Sequence, residues 1–95
     1  MKNYADMFKV LSDVNRVKIL DLLVKGETCS CELIHDLPIS QPTLSYHLKL
    51  LSEVGLIQSV KDGNRINYTV NKEKLLSISK FIQDLTVCND FTCAT

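Results

Sequence analysis

Four cysteines in a chain of 95 residues are the side chains whose type and spacing first suggest chemistry. They fall into two pairs, Cys29 with Cys31 and Cys88 with Cys93. The thiolate is the strongest nucleophile and the soft-ion ligand among side chains, so a Cys pair points to a thiophilic ion, a redox couple or a structural disulfide. A disulfide framework needs an oxidising compartment. The start Met1-Lys2-Asn3-Tyr4-Ala5-Asp6 lacks the apolar stretch of a signal peptide, and no apolar run reaches the length of a membrane span. The expected location is therefore the cytoplasm, with reduced thiols and no membrane partner.

Cys29 and Cys31 stand at the polar start of a helix expected over 30–37, and a helix start favours the thiolate. Side chains two apart on an ideal helix point to nearly opposite sides. For both sulfurs to grip one ion, the helix start has to fray, and the distortion would reach the next helix. The plainer alternative is that a free cysteine is a small buried hydrophobe. For Cys88 and Cys93, five apart in a polar tail over 87–95, that alternative weighs as much as function.

The elements that must position these residues are read from hydrophobic period. Tyr4, Met7, Phe8 and Leu11 recur at helical spacing. Ser12 and Asp13 offer caps for a second helix carrying Val17, Ile19, Leu20, Leu23 and Val24 on a broad apolar face, which Gly26 ends. Leu33, Ile34 and Leu37 stripe the short third helix, closed before Pro38. Ser40 is an N-cap and Pro42 fits the first turn of a fourth helix, with Leu44, Leu48 and Leu51 on its apolar side and Gly55 at its end. The period then becomes two over 57–60 and 65–70, joined through Lys61-Asp62-Gly63-Asn64, where Asp-Gly signals a hairpin. Leu75, Ile78, Ile82 and Leu85 mark a last helix. The order is α-α-α-α-β-β-α: a mostly α chain with a β-hairpin wing, in one winged helix-turn-helix domain over 1–95.

In such an arrangement the second helix of the pair enters the major groove and the hairpin flanks it. Opposite the leucines, the fourth helix offers Gln41, Thr43, Ser45, Tyr46, His47 and Lys49. Gln, Ser and Thr can pair with base edges, while Lys49, and Lys61 and Arg65 beside the hairpin turn, suit phosphates or the minor groove. A solvated polar helix face explains any one of these residues as well; their order along the chain is what argues for DNA. His47 is expected either at DNA or packed at the helix edge, with DNA preferred. The formal net charge is zero, which excludes a non-specific nucleic-acid coat. Over 37–70 three cations stand against two anions, a faint basic bias that a dimer would double.

Leu11-Ser12-Asp13-Val14-Asn15-Arg16-Val17-Lys18-Ile19-Leu20, Glu27-Thr28-Cys29-Ser30-Cys31-Glu32-Leu33, Ser40-Gln41-Pro42-Thr43-Leu44-Ser45-Tyr46-His47-Leu48-Lys49-Leu50-Leu51 and Gly55-Leu56-Ile57 together resemble the ArsR/SmtB family of metal- and arsenic-responsive repressors. The likeness covers roughly residues 5–85, and Cys-x-Cys ahead of Ser-Gln-Pro resembles the arsenical-resistance repressors in particular. The resemblance implies a homodimer joined through its first and last helices, near 3–11 and 72–86, bound to double-stranded operator DNA. It implies release when an inducer binds: As(III) or Sb(III) at thiolates, other soft ions being possible, with no obligatory cofactor. Those ions prefer three thiolates. One form of the family pattern has a third cysteine three residues after the second, where this chain has Ile34. Three arrangements stay open: two thiolates plus a small ligand, a third thiolate from Cys88 or Cys93, or a separate Cys88/Cys93 site. The stretch 75–85 contains no histidine, which argues against a zinc site on the last helix.

Three other readings compete. A redox regulator would use the same fold with reversible oxidation of either pair. A protein-interaction winged helix would make no DNA contact. A thiol oxidoreductase would need an activating base beside a Cys pair, and the histidines are only His35 and His47. No Ser/His/Asp set, paired carboxylates or phosphate-cradling glycine loop is present, so enzymatic chemistry is not expected.

Overall fold

The spacing of Tyr4, Met7 and Phe8 appears as α1 (Lys2–Val10) in a computed structural model that describes residues 2–87. Met7 and Val10 enter the core, while Tyr4 and Phe8 turn toward the last helix. Asp13 is extended and its carboxylate accepts from the Asn15 N–H at 2.8 Å, opening α2 (Val14–Val24). This bond holds the Asp13 carboxyl below the usual range. Ser12, expected to share that cap, instead donates to the Lys9 carbonyl at 2.6 Å and closes α1. Gly26 ends α2 at φ +116, a conformation that side chains with a Cβ avoid. The buried face of α2 is narrower than expected: Ile19 and Leu23 are buried, whereas Val17 and Val24 are exposed.

The third helix differs from its sequence reading. Only Ser30–Leu33 is α-helical (α3), and Ile34–Asp36 continues as a 3₁₀ turn. Leu37 is extended at φ −125 and ψ 136, the conformation that Pro38 imposes on the residue before it. Three residues later Ser40 accepts from the Thr43 N–H at 3.4 Å, and α4 (Gln41–Glu53) begins with Pro42 in its first turn. Leu44, Leu48 and Leu51 are buried, as their spacing predicts.

The hairpin comprises β1 (Ile57–Asp62) and β2 (Arg65–Val70), paired from Ile57↔Val70 to Asp62↔Arg65. Its turn is therefore Gly63-Asn64, one residue beyond the expected Asp-Gly centre. Of these two turn residues only Gly63 has positive φ, +64, the glycine-first pattern of a type II′ turn. On its other edge β2 meets the segment before α3: Tyr68 N–H donates to the Thr28 carbonyl at 2.6 Å, and Cys29 bridges Asn67. Asn71 caps α5 (Lys72–Thr86), whose Ile78 joins the core. Tyr4 and Ser77 share a 2.8 Å hydrogen bond, and the Tyr4 ring stacks on Phe81 at 4.6 Å, so α5 lies against α1. The element order matches the winged helix-turn-helix reading.

Candidate nucleic-acid interface and cysteine site

Along α4 the core stripe is Leu44, His47, Leu48 and Leu51, at i, i+3, i+4 and i+7. Gln41, Thr43, Ser45, Tyr46 and Lys49 lie exposed, with Gln41, Ser45 and Lys49 one turn apart on the same side. His47 departs from the expectation of a DNA contact. It is 5% exposed, and its Nδ1 accepts from Arg16 Nε at 3.0 Å. Arg16 Nη1 also donates to the Val10 carbonyl at 3.1 Å, so one guanidinium ties the end of α1 to α4 through α2. The physical reason is register: position 47 falls inside the leucine stripe, and a buried ring nitrogen needs a partner. That stripe was the signal available in the sequence. The Arg16 partner, 31 residues away, had none.

The cysteine pair also departs from its reading. Cys29 is not on the helix: it is the N-cap, extended at φ −115 and ψ 158, and buried, while Cys31 sits exposed in the first turn. The break in backbone direction swings the two side chains together. Their Cα atoms are 5.2 Å apart and their sulfurs are joined as a disulfide. Convergence thus needs no fraying of α3, and the expected helix distortion is unnecessary. The expectation of two separate thiols is likewise not met in this structure. The Glu32 carboxylate accepts from the backbone N–H groups of Thr28 at 2.9 Å and Cys29 at 3.3 Å, which fixes the N-cap. Those bonds, and behind them the Arg65 charge, hold the Glu32 carboxyl below its ordinary range.

Arg65, expected at a phosphate or in the minor groove, has its guanidinium turned to the sulfurs. Nη2 donates to Cys29 Sγ at 3.2 Å and to Cys31 Sγ at 3.4 Å. The two sulfurs line a cleft of about 380 Å³ with Ser30, Ser45, Asn64, Arg65, Ile66 and Tyr68, between α4 and the hairpin. Lys61 is exposed on β1. Among the described residues no set of three Cys, His, Asp or Glu side chains converges as a metal site. Cys88 and Cys93 lie outside the described residues. Behind α3, the Asp36 carboxyl faces Glu27 and, with partial burial and Glu32, holds the Glu27 carboxyl above its usual range.

A polar-faced helix beside a hairpin, with a cysteine pair in the cleft between them, defines a winged helix-turn-helix regulator. Residues 13–59 match the bacterial regulatory protein family arsR. Over 93 residues the chain is 42% identical to an arsenical resistance operon repressor of Staphylococcus xylosus, covering 98% of this chain and 88% of that protein. An ArsR-like transcriptional regulator from Rhodococcus sp. RHA1 superposes with a TM-score of 0.81 at 29% identity, covering 90% of this chain and 80% of that one. A homodimeric winged helix-turn-helix DNA-binding domain from Mycobacterium bovis gives 0.73 at 26%, covering 90% and 79%. The chain belongs to the ArsR family, whose members are transcriptional regulators and not enzymes. Among the described residues no helix is long and apolar enough to cross a membrane.

Proposed function

We propose that this chain is a homodimeric cytoplasmic repressor that binds double-stranded operator DNA through α4 and the hairpin and releases it when As(III) or Sb(III) is taken by Cys29 and Cys31. The observation that carries the reading is the meeting of the two sulfurs in the cleft between those two elements. Cellular thiols reduce the disulfide to two thiols, themselves becoming a disulfide. Arsenous acid then exchanges two hydroxyls for the two sulfurs and releases two waters. A hydroxide or a thiolate of Cys88 or Cys93 completes the third position, and other soft ions compete for the same sulfurs.

Gln41, Thr43, Ser45 and Tyr46 face base edges, and Lys49 and Lys61 face phosphates. Dimerisation through α1 and α5 covers Phe8, Ile82 and Leu85, which are 38%, 45% and 70% exposed beside the Tyr4 and Phe81 stack. The test is operator binding by reduced protein with and without arsenite, for wild type and for C29S/C31S. Loss of release in the variant is expected; undiminished release would refute the site.

A second reading is favoured by the joined sulfurs themselves: hydrogen peroxide oxidises the dithiol to the disulfide, its O–O bond breaking to give two waters, and operator affinity changes with it. Release by peroxide without release by arsenite would select it.

A further inference from the structure

We propose that Arg65 transmits the state of the cysteine pair to the wing, so that the hairpin, rather than a distorted α3, is the element the inducer moves. This rests on the reading of Cys29 and Cys31 as the arsenite site. Three links join the pair to β2. The Thr28 carbonyl accepts from Tyr68 N–H at 2.6 Å, Cys29 bridges Asn67, and Arg65 Nη2 reaches both sulfurs. Segment 28–29 is in effect a short third strand of the wing. Toward α4, Ser45 lines the same cleft.

After reduction a thiolate sulfur accepts from the guanidinium through a charge-assisted hydrogen bond. An arsenic–sulfur bond takes one of the three electron pairs and with it the negative charge, so the pairs that remain accept only as a neutral sulfur does, and the tether that holds the start of β2 at a fixed spacing from α3 is weakened. A wing held in place meets DNA pre-organised; a released wing must be ordered on binding, which weakens the complex. Glu32 and Asp62 are the anions near this guanidinium, on α3 and directly across the hairpin. Hard carboxylate oxygens do not compete with thiolates for a soft ion, so the change at Arg65 is assigned to the sulfurs.

The experiment compares wild type, R65Q and K49Q as reduced full-length protein, with arsenite binding and operator affinity measured separately. Arsenite is expected to weaken wild-type binding by about 5–150-fold, the usual range for coupled sites. R65Q is expected to bind arsenite with wild-type stoichiometry, to bind operator more weakly without it, and to lose less than about threefold more on adding it. K49Q loses affinity at every salt concentration, with a salt slope smaller by about one, yet keeps the wild-type arsenite ratio. Wild-type arsenite release in R65Q, with only its salt slope reduced, would make Arg65 a plain phosphate contact and overturn the inference while leaving the arsenite site standing. No release of wild type would overturn both. Should R65Q fail to fold, R65K, which keeps the charge but shortens the reach to the sulfurs, carries the same expectation of bound arsenite and diminished release.

Discussion

The start of α4 and the start of α3 are both polar helix beginnings, yet they are built on different principles. Ser40, Pro42 and the leucine stripe specify α4 within its 13 residues and the cap just before them. α3 is a single turn, and the segment entering it is held by Glu32 on one side and by β2, 39 residues further on, on the other. One presents an exposed polar face; the other is a junction that, under the proposed function, reports the state of its cysteines to the wing.

The comparison can be broken most severely in α4. Leu51 is fully buried in the stripe shared with Leu44, Leu48 and His47. Leu51→Ala is expected to cost about 2–5 kcal/mol of stability, read as a shift in the urea midpoint at fixed protein concentration. Loss below about 1 kcal/mol would mean that α4 is not held by its core face. Arg16→Ala probes a long-range hydrogen bond to α4. It leaves the buried Nδ1 of His47 without its partner and is expected to cost about 1–3 kcal/mol, with arsenite binding unchanged.

The smallest effect belongs to the junction. Glu27 binds its proton more tightly in the folded chain, because Asp36 faces it. Stability from that proton is present at low pH and is lost as pH rises through the raised folded value. Glu27→Gln removes this loss, so the variant should match wild type in acid and exceed it slightly at neutral pH. A urea midpoint lower than wild type at neutral pH would contradict it.

The same contrast explains what was legible in the sequence. Caps, turns and apolar periods named every element in order, because each acts within a few residues. Gly63-Asn64 replaced Asp62-Gly63 as the turn centre because register is settled by pairing between strands. His47 was readable in principle, since it shares a stripe with three leucines. The cysteine geometry was not. It depends on the extended backbone of Cys29 just before the helix, and on Arg65, whose contact spans 36 residues and leaves no periodic trace. Lys49 and the other exposed residues of α4 follow directly from the helix, whereas Arg65 belongs to the cleft before it belongs to any DNA surface.

The most direct measurement uses C88S/C93S, which keeps Cys29 and Cys31 as its sole cysteines. Operator affinity of the reduced variant is followed through an arsenite titration alongside a count of remaining free thiols. Release that tracks the loss of two thiols per chain is the predicted result. Operator binding that persists after both thiols are consumed would contradict the account.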